Sequence, residues 1–412
     1  MSLSCFKNTF LLWFLILSAC GNKTTSSKNE KSEVKNVSET LQKKPLLIAA
    51  NNSQEYLPLL QGKNIGIVAN QTSVIFKNDN THTHLVDSLL SLKINVKQVF
   101  APEHGFRGKA DAGEHVTDGV DTKTGLPIIS LYGKNRKPSN EQLKGLDIVV
   151  FDIQDVGVRF YTYIATLQLV MEACAANNIP ILVLDRPNPN IHYVDGPTME
   201  TEHRGFLGMT NIPLVYGMTI GEYAKMINEE GWLTNDVKAD LKVIPIQNYK
   251  RTTDYHLPIR PSPNLPNDKS INLYPSLGLF EGTNVNAGRG TEFQFQRYGA
   301  SFLDKNSYSF NYTPKPNFGS KTPKENGKIC FGKDLTNSPK MNKVSLKWII
   351  DAYNNCPDKS KFFLTNGFTK HAGTEKLQQQ IEAGKTNEEI RTSWQVDIDN
   401  FKKIRKKYLI YN

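Results

Sequence analysis

The stretch Phe100-Ala101-Pro102-Glu103-His104-Gly105-Phe106-Arg107-Gly108 puts a carboxylate, an imidazole and a guanidinium close together. No buried strand could carry these three without partners. Pro102, Gly105 and Gly108 turn the chain out of the apolar run 96–100 into a loop, where such groups can meet a ligand. Glu103 is the leading candidate for the chemistry, with His104 and Arg107 beside it. Further candidates fall in other polar loops: Glu114, then Asp152, Asp155, Arg159, Tyr161 and Tyr163, then Asn188, and finally Glu281, Asn284, Arg289 and Glu292. Two carboxylates flanking a bond, one protonated and one ionised, suit glycoside hydrolysis. One is enough where the substrate's own 2-acetamido oxygen attacks the anomeric carbon. Metal chemistry fits less well: Glu103-His104 and Glu114-His115 repeat a dipeptide with Asp111 between, but adjacent side chains point apart and the helical HExxH spacing is missing. No metal is expected, and the GxSxG of a serine nucleophile elbow is also missing.

Alternating strands and helices must position these loops. Apolar runs at 62–70, 96–100, 128–132, 147–152 and 179–184 read as strands. Residues 84–92, 139–144 and 163–177 carry helical periodicity, and Thr219 with Glu222 forms a capping box opening a helix over 219–230. This alternation implies a parallel sheet covered by helices, a Rossmann-like α/β domain whose strand-end loops share one edge. The first strand lacks a GxGxxG and no Walker motif follows, so no cofactor is expected. Residues 241–246 read as a strand and 249–286 as an irregular Pro- and Asn-rich connection. Shorter elements beyond form a second, smaller α/β domain, with the active cleft between the two. The boundaries read as 1–20, 21–46, 47–235 and 236–412.

The first segment is a targeting sequence: a short apolar run ending in Leu17-Ser18-Ala19-Cys20-Gly21 resembles a bacterial lipobox. Cleavage would leave Cys20 as the lipidated residue, and the polar stretch 21–46 a flexible linker. The expected location is extracytoplasmic, on a membrane through the lipid and facing the periplasm. Cys174, Cys330 and Cys356 in the body have no close CxxC spacing, which argues against a disulfide framework or zinc site. The formal charge of +10 among 412 residues is spread along the chain, as on a solvated surface, and no nucleic-acid partner is expected.

The PEHGFRG segment, Phe151-Asp152-Ile153-Gln154-Asp155-Val156-Gly157-Val158-Arg159-Phe160-Tyr161-Thr162-Tyr163, Leu184-Asp185-Arg186-Pro187-Asn188-Pro189, Phe280-Glu281-Gly282-Thr283-Asn284 and Gly288-Arg289-Gly290-Thr291-Glu292 together resemble the NamZ-type exo-β-N-acetylmuramidases. The resemblance implies a hydrolase that removes terminal, non-reducing β-1,4-linked N-acetylmuramic acid from peptidoglycan fragments, with the catalytic glutamate at Glu103. The second group stays open: Asp152 or Asp155 as base or nucleophile, or the acetamido group itself. Arg107, Arg159 and Arg289 are candidates for the substrate's lactyl carboxylate, and Tyr161 or Tyr163 for the sugar. A muropeptide-binding lipoprotein without catalysis is the alternative.

Overall fold

The computed structural model describes residues 45–79, 81–108, 114 and 117–412. At its centre, the strands Ile65–Ala69, Ile148–Asp152 and Ile181–Leu184 are buried along their whole length. Such strands need apolar side chains on both faces. Alternate residues accordingly serve two cores. Val68, Phe100, Val149, Phe151 and Val183 join the core under helices Tyr163–Ala176 and Ile220–Glu229. Ile65, Ile67, Val99, Val150 and Leu182 join the core under helices Ser53–Leu60 and Leu85–Ser91.

From edge to edge the sheet runs Leu241–Ile244, Ile181–Leu184, Ile148–Asp152, Ile65–Ala69, Val96–Ala101, Pro127–Ser130 and Gly119–Val120. All pairings are parallel except that of the short outer strand Gly119–Val120. The chain builds outward from Ile65–Ala69 in one direction, then returns to its other side at Ile148–Asp152. Strand order therefore reverses between these two, the place where doubly wound sheets open a crevice at their carboxyl ends.

The Thr219–Glu222 capping box is present, with Glu222 N–H donating to Thr219 Oγ1 at 3.2 Å and Thr219 N–H to Glu222 Oε2 at 3.0 Å. The segment 249–286, expected to be irregular, contains helix Asp268–Leu277. Asn267 caps it, accepting from Ser270 N–H at 2.9 Å, while Pro275 within its last turns masks the helical pattern in the sequence. The sheet's last strand, Leu241–Ile244, lies past the expected boundary at 235/236.

Farther on, Arg297–Ala300, Cys330–Asp334 and Phe310–Tyr312 form a small antiparallel sheet, followed by helices from Lys347–Asn354 to Gln395–Lys406. The tail returns to the large sheet: Tyr411 OH donates to Asp185 at 2.6 Å, and Ile410 N–H to Glu222 at 2.8 Å. Residues 45–412 thus make one compact unit. Cys174, Cys330 and Cys356 are buried free thiols. Cys20, Asp111, His115 and the expected lipobox and linker, apart from residues 45 and 46, lie outside the described residues.

At the switch point, Arg186 grips Asp152 through two hydrogen bonds, 2.6 Å from Nε and 2.9 Å from an outer nitrogen. Arg186 also donates to Val74 O at 3.1 Å, and Ser73 Oγ donates to the Asp152 carbonyl. Three strand-end loops are tied by one buried ion pair. Removing one member leaves the other charged and unpartnered, which costs about 3–5 kcal/mol. Asp152→Ala is therefore expected to lower the urea midpoint by that amount of stability, and loss of activity with an unchanged midpoint would return Asp152 to the chemistry.

Candidate active site

A cavity of about 610 Å³ opens at the carboxyl edge of the sheet. Its walls come from the loops after Val96–Ala101, Pro127–Ser130 and Ile148–Asp152, and from later segments around Tyr274, Glu281 and His371. Glu103 enters from a turn in which Gly105 N–H donates to Pro102 O at 3.0 Å. His104, at the third position of that turn, is buried and has φ of 70°. A left-handed conformation at a residue with a Cβ costs about 1–3 kcal/mol and persists where the surroundings enforce it. The turn thus presents Glu103 to the cavity.

Hydroxyl groups surround that carboxylate. Thr162 Oγ1 donates to Glu103 Oε2 at 2.7 Å, and the Tyr132 hydroxyl also bonds to the Glu103 side chain. Burial, and then the Glu103 charge, push the Tyr132 phenol up, so it remains a neutral donor. Tyr161 and Tyr163 line the wall with rings 4.7 Å apart; the Tyr161 hydroxyl donates to Pro261 O at 2.8 Å, and that of Tyr163 lies 3.4 Å from both Pro261 O and Glu103 O. They shape the cavity by pinning the Pro-rich loop. Phe160, Tyr274 and Phe295 make an aromatic floor, with centroid separations of 5.0 and 4.7 Å, on which a sugar face can rest.

Glu281 is the cavity's second carboxylate. Burial raises its pKa, yet the Arg289 and Lys324 cations outweigh that and hold it below the usual range. Arg289 meets it at 3.1 Å, while Lys324 Nζ donates to the carbonyls of Phe280, Glu281 and Thr283. His371 donates from Nδ1 to Gly367 O at 2.8 Å, and burial lowers its pKa, which keeps the ring neutral with Nε2 as acceptor.

Of the residues expected from the sequence, Glu103, His104, Tyr161, Tyr163, Glu281 and Arg289 meet at this cavity. The others do not line it. Asp152 is held by Arg186 as described. Asp155 is buried behind the wall, where Oδ2 accepts from Tyr216 OH and from Gly157 N–H at 2.7 Å. Arg107 pairs with Asp121 at 2.7 Å and Asp87 at 3.3 Å. Arg159 is buried and donates to four carbonyls, those of Pro197, Ile212, His371 and Ala372. Asn188 donates to Met218 O, Asn284 to Lys361 O, Glu114 pairs with Lys321, and Glu292 is exposed.

Sequence reasoning missed Tyr132, Arg136, Thr162, Tyr274 and His371. Thr162, between two singled-out tyrosines, carried the one available signal. For metal, Glu200, Glu202 and His203 bring ligand atoms within 4.8 Å of one another among the described residues, but Lys376 already pairs with Glu200 at 2.6 Å.

Residues 65–269 match the N-terminal domain of exo-β-N-acetylmuramidase NamZ, and residues 272–411 its C-terminal domain. The chain belongs to the NamZ family. It is 41% identical over 382 residues to the peptidoglycan β-N-acetylmuramidase NamZ of Bacillus subtilis, spanning 87% of this chain and 89% of that protein. Crystal structures of two DUF1343 family proteins from Bacteroides fragilis share its fold, with TM-scores of 0.81 at 43% identity and 0.74 at 27%. Each covers 89% of this chain and 99% of its own. In this NamZ-family chain the cavity draws residues from both matched domains, as expected for a cleft between them.

Burial pushes the Asp155 carboxyl from its ordinary 3.8 up to about 6, against the hydrogen bonds from Tyr216 and Gly157. The folded chain then binds more protons than the unfolded one between those values, so this group makes stability fall as pH rises from about 4 to 6. Asp155→Asn should flatten that fall in thermal midpoints measured from pH 4 to 7. A parent-like slope in the variant would show that Asp155 does not titrate there.

Proposed function

We propose that this chain is an exo-acting glycoside hydrolase that releases terminal, non-reducing β-1,4-linked N-acetylmuramic acid from peptidoglycan fragments during cell-wall turnover. The observation that carries this reading is the pairing, in one cavity, of Glu103 among hydroxyl donors with Glu281 among cations. The relationship to a peptidoglycan β-N-acetylmuramidase supports the substrate class.

Glu103 gives a proton to the glycosidic oxygen as the bond from that oxygen to the anomeric carbon breaks. Thr162 and Tyr132 orient the carboxyl and stabilise the carboxylate it becomes. Glu281, ionised beside Arg289, is the second acidic group in place of Asp152 or Asp155. It balances positive charge developing on the sugar, or orients the 2-acetamido group for attack. Water then completes the hydrolysis, with Glu103 taking back a proton.

Cys20 and the polar stretch after it support a lipid-anchored, extracytoplasmic placement facing the periplasm, where wall fragments arise. Among the described residues no helix is long and apolar enough to cross a membrane.

The test uses protein lacking residues 1–20 and a disaccharide with muramic acid at the non-reducing end. The parent should release free N-acetylmuramic acid. Glu103→Gln should lose about 100- to 10,000-fold in kcat, with part of the loss recovered on an aryl glycoside whose leaving group needs no proton. Full turnover by Glu103→Gln would assign the acid elsewhere. Saturable binding without turnover by the parent would establish a wall-binding lipoprotein instead.

A further inference from the structure

The muramic acid that this reading assigns to the cavity differs from N-acetylglucosamine by a 3-O-lactyl group with a free carboxylate. Something must recognise that charge, and the three arginines expected to do so are committed elsewhere. Arg107 is paired with Asp121 and Asp87, outside the cavity. Arg159 is buried on backbone carbonyls. Arg289 lines the cavity but already faces Glu281, so a second carboxylate brought to it would meet a like charge.

Three other cations line the cavity: Arg136, Arg204 and Lys370. All three are exposed and sit on separate segments. None forms an ion pair with a carboxylate among the described residues. They are not equivalent. Arg204 donates from Nε to Asn211, and Lys370 is a flexible, strongly hydrated point charge. The Arg136 guanidinium lies 4.3 Å from the centre of the Phe206 ring. That contact anchors the side chain, and its planar fork can hold a carboxylate through two parallel hydrogen bonds.

Position favours the same residue. The Phe206 ring is 6.1 Å from that of Tyr132, whose hydroxyl bonds to Glu103. Two aromatic rings therefore separate the acid at the scissile bond from the guanidinium. The acid and the guanidinium thus line the same cavity, joined through Tyr132 and Phe206.

We infer that Arg136, held on Phe206, binds the lactyl carboxylate of the terminal muramic acid and sets the preference for muramic acid over its uncharged analogues. This rests on the hydrolase reading for the identity of the sugar. Arg204 and Lys370 add positive potential at the mouth and draw the anion in.

The test compares aryl β-glycosides of N-acetylmuramic acid and of its lactyl amide, which has the same shape without the charge. The parent should favour the acid. Arg136→Ala should cut kcat/KM on the acid by about 10- to 100-fold, chiefly through KM, and lower it on the amide far less. Arg136→Lys should restore part of the loss, because it returns the charge without the fork. Equal losses on both substrates would place Arg136 at the leaving group or in the fold, and no loss on either would remove it from recognition; both overturn the inference. Calorimetry with free N-acetylmuramic acid and its amide separates the two levels of the reading. Turnover of acid and amide alike by the parent overturns the role of Arg136 and keeps the hydrolase. Absence of turnover, with binding of the acid that Arg136→Ala abolishes, keeps the carboxylate reader and overturns the hydrolase.

Discussion

One guanidinium holds the two sides of the cavity together. Arg159 is 1% exposed and spends its outer nitrogens on the carbonyls of Pro197, Ile212, His371 and Ala372, between 2.6 and 3.0 Å. Burial alone pulls its pKa down to about 9, so the charge is kept at neutral pH, though weakened. A buried cation of this kind is expensive unless its hydrogens are taken. Four carbonyls from separate segments take those of the outer nitrogens, and the arrangement works in both directions: the carbonyls keep the charge tolerable, and the charge fixes where those segments lie. Gly208 and Gly373 let the chain come that close, because a Cβ at either would crowd the Arg159 side chain.

The consequence reaches the site through short links. Phe160, Tyr161 and Thr162 follow Arg159 directly, and His371 contributes both a carbonyl to the guanidinium and a ring to the cavity. The wall that orients Glu103 and the wall that holds Glu281 are thereby set against each other. The Pro-rich loop closes a third side because Tyr161 and Tyr163 reach Pro261. Little of this depends on flexible side chains, which suits a site that must hold a sugar in one orientation.

The layout of the sheet was legible in the sequence because strands buried on both faces have to be written as nearly unbroken apolar runs, and these were present at 65–69, 148–152 and 181–184. The site was legible in part. Glu103 stood out because a turn with Pro and Gly carried it past a strand end, and Glu281 and Arg289 because Gly-rich loops displayed them. Asp152, Asp155, Arg107 and Arg159 looked the same by type and by loop. What distinguished them was a partner far along the chain: Arg186 for Asp152, Tyr216 for Asp155, Asp121 for Arg107, the carbonyls near 371 for Arg159. Residue type marks a group that needs a partner, while only the fold decides whether that partner is protein or ligand. Arg136 and Tyr132 were hidden for the converse reason, since Phe206, which relates them, lies some seventy positions away.

The two carboxylates of the cavity show how one fold can give the same functional group different surroundings. Glu103 is met by neutral hydroxyls, which can bond to a carboxyl in either protonation state. Glu281 is met by Arg289 and Lys324, which favour the charged state and make protonation there costly. Because these surroundings come from different domains, neither half of the chain contains the pair. Glu103 belongs to a strand-end loop of the large sheet, Glu281 to the segment that precedes the small antiparallel sheet. The pair therefore exists only while the domains are docked, and the buried Arg159, which secures that docking outside the cavity, leaves the cavity's own charges available to a ligand.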